Sequence, residues 1–358
     1  MTEDRTQAVI DALATVNDPE LNRDLVALRM ARDVDVSGDD VSLRVVLTLP
    51  FSPLKDRIET DVRAALQGLG WVRNISIQWD AEVTANSGYG HTGQMLPEVK
   101  NVIAVASGKG GVGKSTVAVN VAVALREMGA KVGLLDGDIY GPNIPGMLGI
   151  EGQPVLKNDK IQPLSAYGIP VMSMGFLTEP GAAVIWRGPM IAQALRQLVQ
   201  DVAWGELDYL IVDLPPGTGD APLSLSQMLP LAGAVIVSTP QEVALQDVRR
   251  GIAMFEKLRV PVLGVVENMS YFVCPNCAER HEIFDHGGAA EAAREFEIPF
   301  LGEIPLDPRI RVSSDQGHPV AALGLDDPLA KPYVETARLI AAEISKLNAA
   351  RPEPLPVL

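Results

Sequence analysis

The sequence predicts an α/β protein: a mainly parallel sheet with helices on both faces, preceded by a small α+β domain. Three observations predict it. From Pro97 onward, short apolar runs alternate with stretches of helical spacing, the pattern of strand–helix–strand units. The first such run, Val102–Ala106, leads through Ser107 into Gly108-Lys109-Gly110-Gly111-Val112-Gly113-Lys114-Ser115-Thr116, a phosphate-binding loop of the form G-x-x-x-x-G-K-[ST]. Before it, a stretch rich in Gly, Ser, Thr and Asn shows no apolar periodicity and reads as a linker. The expected boundaries are a small domain over 1–82, a linker over 83–96, the loop-bearing domain over 97–350 and a proline-rich tail over 351–358.

In the small domain, Val9, Ile10, Leu13 and Val16 recur at helical spacing until Asn17-Asp18-Pro19 stops the helix. Residues 41–49 read as a strand. A second helix runs over 53–69, with Leu54, Ile58, Val62, Leu66 and Leu69 on one stripe, closed by Gly70. A strand over 72–79 puts Ile75, Ile77 and Trp79 on one face. Beyond the loop, 115–128 is apolar enough for a buried helix whose N-terminus faces phosphate. Further strands are expected at 131–135, 170–174, 209–212, 234–238, 262–266 and 300–304. Helices are expected near 190–202, 241–257, 288–295 and 328–347. In such a sheet, ligands bind at the carboxyl ends of the strands.

Composition narrows the function classes. Thirty basic against 45 acidic residues leave a net charge of −15, without the basic footprint of a general nucleic-acid or anionic-membrane binder. No apolar run approaches a membrane span, and the polar start opens no signal peptide, so a cytoplasmic protein is expected.

The loop defines a site for ATP and Mg²⁺. Its glycines let backbone N–H groups turn inward to phosphate oxygens. Lys114 would reach the β- and γ-phosphates, and Ser115 would ligate Mg²⁺. Gly108, Gly110 and Gly113 also satisfy G-x-G-x-x-G, a dinucleotide fingerprint, but that fold needs no lysine and hydroxyl after the third glycine. Asp136 and Asp138 follow the second strand, where carboxylates hold Mg²⁺ through water and orient the attacking water. Asp213 ends another apolar run and would complete the metal environment. The loop after it, Leu214-Pro215-Pro216-Gly217-Thr218-Gly219-Asp220, mixes rigid and permissive residues, which suits a segment that changes course when the γ-phosphate leaves. Asn268 ends a further strand and carries a donor and an acceptor, which suits adenine. Residues 304–307 are expected to line the base pocket from the other side.

The only two cysteines, Cys274 and Cys277, form a C-x-x-C. In a cytosolic protein this spacing points to metal or redox chemistry. Two thiolates cannot close a four-cysteine cluster, but two copies related by a twofold axis can place identical pairs opposite each other. His281 and His286 extend the pattern to C-x₂-C-x₃-H-x₄-H, so a one-chain Cys₂His₂ zinc site and a thioredoxin-like dithiol remain open readings.

The run Gly108–Thr116 resembles the deviant loop of a family of dimeric ATPases that includes the nitrogenase iron protein, MinD and the Mrp/ApbC iron–sulfur carriers. The resemblance extends through Asp136-Gly137-Asp138, Ile139–Asn143, Trp186-Arg187-Gly188-Pro189, the Asp213 run, Asn268 and the cysteine pair. MinD-like relatives lack that pair, so the chain is most similar to the Mrp/ApbC carriers. The resemblance implies a homodimer in which Lys109 reaches the partner's nucleotide. It also implies Asp138 on the attacking water, Asp136 in the metal's outer shell, Asn268 on the base, and Cys274 and Cys277 on an iron–sulfur cluster. That cluster would be of the 4Fe–4S type, bridging two chains and passed from an assembly scaffold to apo iron–sulfur proteins. Asp18-Pro19-Glu20 and Thr48-x-x-x-x-Pro53-Leu54 are similar to the small iron–sulfur-assembly domain fused ahead of such ATPases. Many members carry a cysteine just before that proline. Here it is Ser52, and the domain reads as a docking or regulatory module without site residues. The alternative function is a zinc-stapled regulatory ATPase that carries no cluster.

Overall fold

The computed structural model describes residues 2–19, 21–47, 54–86, 95–177 and 188–350. Ser52 and the Trp186-Arg187 pair lie outside them. The chain divides into two compact units, one of residues 1–84 with the stretch from Ala341 on, the other of 85–340.

In the first unit, α1 (Thr2–Leu13) is followed by β1 (Ala31–Ser37), β2 (Asp40–Leu47), α2 (Lys55–Gln67) and β3 (Asn74–Ala81). The sheet order is β1-β2-β3, with β1 antiparallel and β3 parallel to β2. Val9 and Leu13 from α1, Leu43 and Val45 from β2, and Ile58, Val62 and Leu66 from α2 fill one core. Strand β1 was not expected. Arg32, Asp33 and Asp35 hide its alternation, and a bulge between Arg32 and Asp35 breaks the period. Asn348, near the end of the last helix, donates to the Thr84 carbonyl at 3.0 Å within this unit.

The second unit is built on β4 (Val99–Ala106), α3 (Lys114–Glu127), β5 (Val132–Asp136), β6 (Leu164–Ala166), β7 (Ile169–Ser173), α4 (Gly188–Gln200), β8 (Leu207–Asp213), α5 (Asp220–Met228), β9 (Leu231–Ser238), α6 (Glu242–Lys257) and β10 (Val262–Asn268). A small hairpin, β11 (Phe272–Val273) and β12 (Arg280–His281), precedes α7 (Gly288–Glu295), β13 (Phe300–Ile304), α8 (Pro308–Asp315) and α9 (Lys331–Ala349), whose residues from Ala341 on are counted with the first unit. One eight-stranded sheet runs β6-β7-β5-β8-β4-β9-β10-β13. Every pairing in it is parallel except β6 with β7. This is the mainly parallel sheet expected from the alternating runs. Its inner strands are buried along nearly their whole length, which is why they read as continuous apolar runs.

Helix α3 is buried from Val117 to Leu125, apolar all round because it lies between layers. Its one buried polar residue in that span, Asn120, donates to the Thr116 carbonyl at 2.9 Å and accepts from the Ala321 N–H at 2.9 Å. The helix that receives the loop is thereby fixed in the core. Strands β5, β7 and β8 finish level with one another, since Asp136 pairs with both Ser173 and Asp213. That end of the sheet gathers the polar residues.

Candidate functional site

The loop between β4 and α3 curls through two left-handed glycines, Gly111 and Gly113, both at φ +79°. At Gly113 no side chain fits: a Cβ there would lie 2.1 Å from Asn268 Nδ2. That close approach serves a hydrogen bond, Asn268 Nδ2 donating to the Val112 carbonyl at 2.8 Å. Asn268 is thus at the expected strand end, with its donor committed to the loop. Ser107 Oγ closes the other side of the loop by donating to the Lys109 carbonyl at 2.9 Å.

Lys114, the first residue of α3, is buried. Its ammonium donates to Asp213 Oδ1 at 2.5 Å and lies 3.4 Å from Ser115 Oγ. Ser115 Oγ donates to Asp213 Oδ2 at 2.5 Å. One carboxylate at the end of β8 therefore holds both residues that sequence assigns to phosphate and metal. Burial pushes Asp213 up, and the Lys114 charge works against that rise.

Asp136, 1% exposed at the end of β5, accepts from Ser173 Oγ at 2.9 Å and from the Asp138 N–H at 3.1 Å. Burial, and then the neighbouring Asp213 charge, raise it from 3.8 to about 7. Asp138 is half-buried and accepts from the N–H groups of Tyr140 and Gly141, each at 3.2 Å. Two further bonds, from Gly217 N–H to the Ser107 carbonyl and from Gly137 N–H to the Asp213 carbonyl, tie the loops after β8 and β5 to the same floor. Lys109 is half-buried at the rim and donates to Gln241 Oε1 at 3.3 Å within its own chain.

These residues surround a cleft of about 710 Å³. Lys109, Gly110, Gly111, Gly113, Lys114, Ser115 and Thr116 line it from the loop, with Asp138 and Asn268. Gly108 and Val112 belong to the loop backbone without lining the cleft, and Val112 is buried. Met269, Pro305, Leu306, Asp307 and Tyr333 form the other wall, so the segment expected to face a base does border the cavity. Sequence reasoning missed Ser173, Gln241 and Tyr333, none of which belongs to a local motif. Ser173 had one usable signal: it ends a strand on the sheet edge that carries Asp136.

The cysteines sit on the turn between β11 and β12, Cys274 half-buried and Cys277 exposed. The turn is closed by Cys274 N–H to the Glu279 carbonyl at 2.9 Å and Ala278 N–H to the Cys274 carbonyl at 2.8 Å. Backbone N–H groups of Cys277 and Asn276, then the Cys277 thiol, point at Cys274 sulfur and hold its thiol below the usual range. Such a turn offers two sulfurs to one external centre. The histidines do not join them. His286 Nε2 pairs with Glu303 Oε1 at 2.9 Å, and His281 lies beside the Phe272 ring. Among the described residues no group of three or more His, Cys, Asp or Glu side chains is arranged to hold a metal, so the one-chain Cys₂His₂ reading is not favoured.

A phosphate loop between the central strand and a buried helix, with acids ending the neighbouring strands, defines a P-loop NTPase of the parallel-sheet class. The family described as NUBPL iron-transfer P-loop NTPase matches residues 98–341, and the chain belongs to it. Residues 6–78 match the family described as iron–sulfur cluster assembly protein. The chain is 50% identical over 354 residues to the iron–sulfur cluster carrier protein of Deinococcus radiodurans, covering 98% of this chain and 99% of that one. It is 45% identical over 313 residues to the iron–sulfur cluster transfer protein NUBPL of Dictyostelium discoideum, covering 85% of this chain and 94% of that one. Among solved structures, a nucleotide-binding protein of Archaeoglobus fulgidus in complex with ADP is 47% identical with a TM-score of 0.57, over 63% of this chain and 89% of that one. The cell-division ATPase MinD of Pyrococcus furiosus is 26% identical with a TM-score of 0.50, over 67% and 98%. Among the described residues, no helix is long and apolar enough to cross a membrane.

Proposed function

We propose that the chain binds and hydrolyses ATP and carries a labile iron–sulfur cluster as cargo, passing it from an assembly scaffold to apoproteins in the cytoplasm. The observation that carries this reading is the two-thiol turn, with Cys277 exposed and Cys274 half-buried, which among the described residues has no third ligand arranged beside it and begins a few residues past a strand whose end lines the nucleotide cleft. Two such turns facing each other in a homodimer supply four thiolates to one 4Fe–4S cargo. Each chain then owns half of the attachment, which suits a cargo that must leave.

In the cleft, the loop N–H groups and the positive end of α3 bind the phosphates. Lys114 neutralises charge on the β- and γ-oxygens, turning part of its ammonium from Asp213 to do so. Asp138, held in place by two backbone donors, accepts a hydrogen bond from the attacking water and aligns it with the γ-phosphorus. Asn268 keeps its amide nitrogen on the loop, and its carbonyl oxygen is the atom left to meet a base amino group. The oxygen donors Ser115, Asp136 and Asp213 fit a magnesium ion, which when bound withdraws electron density from the phosphate oxygens. In the dimer, Lys109 leaves Gln241 for the partner's phosphates.

Anaerobic cluster reconstitution tests the reading. Wild type is expected to take up about four iron and four sulfide per dimer and to activate an apo iron–sulfur protein, and Cys277→Ser to lose both. Equal occupancy in the two proteins, or stoichiometric zinc in place of iron, overturns it.

A further inference from the structure

Strand β10 ends in two polar residues, Glu267 and Asn268, that point to opposite faces of the sheet, as the pleat requires. Asn268 takes the side of the phosphate loop and holds Val112. Glu267 takes the other side and is 0% exposed. Its carboxylate accepts three hydrogen bonds: Ser270 Oγ at 2.7 Å and Gly287 N–H at 3.0 Å on Oε1, and Ala289 N–H at 2.8 Å on Oε2.

Those three donors bracket residues 271–286, the excursion that carries both cysteines. Ser270 stands at its start, and Gly287 and Ala289 stand at its end, where α7 begins. A second carboxylate repeats the arrangement nearer the surface. Glu303 on β13 pairs in register with Glu267 and meets His286 at 2.9 Å and Arg280 at 3.4 Å, both from the excursion. Arg280 also lies 4.0 Å over the Tyr271 ring, joining the two arms of the excursion. Leu306, a wall of the nucleotide cleft, donates its N–H to the Tyr271 carbonyl at 2.7 Å.

A buried carboxylate without a basic partner persists only where several donors are fixed on it. Capping α7 alone would use only the Gly287 and Ala289 donors, whereas Glu267 also holds Ser270 on the other side of the excursion. We propose that Glu267 is a positioning residue that ties the end of β10 to the neck of the cysteine excursion, so that nucleotide bound against Asn268 changes the setting of Cys274 and Cys277. Two adjacent residues of one strand thus serve two sites: one holds the phosphate loop, and the other holds the neck of the loop that bears the thiols. The proposal rests on the reading of those thiols as the cargo site. The device itself lies in Glu267, Ser270 and the first turn of α7.

Glu267→Gln tests it, because glutamine keeps the shape but leaves one acceptor oxygen for three donors and adds an N–H among them. The readout is the alkylation rate of Cys277 by iodoacetamide in cluster-free full-length protein, with and without a non-hydrolysable ATP analogue and magnesium. Wild type is expected to change rate about fivefold or more on adding nucleotide, and Glu267→Gln less than about twofold, with nucleotide affinity within about twofold of wild type. A purely structural cap would raise the basal rate and leave the ratio untouched. A wild-type ratio in Glu267→Gln, or no nucleotide response in wild type, overturns the proposal. Should Glu267→Gln fail to fold, Ser270→Ala, which keeps two of the three donors, carries the test: a reduced ratio supports the proposal and a full one refutes it. Reconstitution of wild type is scored separately. A preserved thiol response without cluster uptake removes the carrier reading alone, and cluster uptake without a thiol response removes this one alone.

Discussion

Replacing Asp136 with asparagine removes a titrating group from beneath the phosphate loop and keeps both polar contacts, with the direction of the bond to Ser173 reversed. The asparagine carbonyl can accept from the Asp138 N–H, and its amide can donate to Ser173 Oγ, which now lies 2.9 Å from the carboxylate. In the folded protein, burial and then the Asp213 charge raise Asp136 to about 7. In the unfolded chain it titrates near its ordinary value of about 4. Between those values the folded state binds the extra proton, so this residue's contribution to stability is present at low pH and is lost as pH rises through the window. The displacement from 3.8 to about 7 is worth at most about 4 kcal/mol. Roughly 2 kcal/mol of that falls between about pH 5.5 and about pH 8. Asparagine does not titrate, so the stability of Asp136→Asn minus that of wild type should grow by about 2 kcal/mol over the same range. Urea unfolding of nucleotide-free, metal-free protein at stepped pH measures this. Trp204, buried with its ring against Gly133 on β5, reports on the unit concerned. A difference between the two proteins that does not vary with pH would refute the placing of this proton on Asp136.

Two further outcomes follow from the loop. Gly113→Ala meets both a φ of +79° and a Cβ contact of 2.1 Å with Asn268 Nδ2, so it should cost about 2 kcal/mol or more and abolish ATP binding. Calorimetric titration with ATP checks it, and wild-type affinity would contradict the close packing. If Lys109 acts on the partner's nucleotide, Lys109→Ala and Lys114→Ala should each lose phosphate release. An equal mixture should recover about a quarter of the wild-type rate, because half of the dimers then own one complete site. A mixture as inactive as its components would place Lys109 in its own chain's cleft.

The parts of the site that could be read in the sequence are those that are local along the chain. Gly108–Thr116 is one loop, Asp136 and Asp213 each end an apolar run, and Cys274 and Cys277 share one turn. The strands of the large sheet, apart from the short antiparallel edge strand β6, were legible because burial makes them plainly apolar; β6 is only partly buried and does not read as an apolar run. What could not be read depends on which distant strand ends become neighbours. Ser173 meets Asp136 only because β7 pairs with β5 in a register that sets one opposite the other. The separation of Glu267 from Asn268 was hidden for a different reason. Two polar letters closing the run Val262–Val266 say that the strand has ended; they do not say that each is buried against a different layer. The physical signal was that both remain buried where an ordinary strand end would turn polar groups to water. In a sheet covered on both faces, the carboxyl ends of the strands are where buried polar side chains can find loop and helix N–H donors without breaking the ladder. Ser173, Asp136, Asp213, Glu267 and Asn268 all occupy such ends. The covering that made the strands easy to find is therefore also what sends the chemistry to their termini, and the β10 end can face the phosphate loop and the cysteine excursion because it has a covered face on either side.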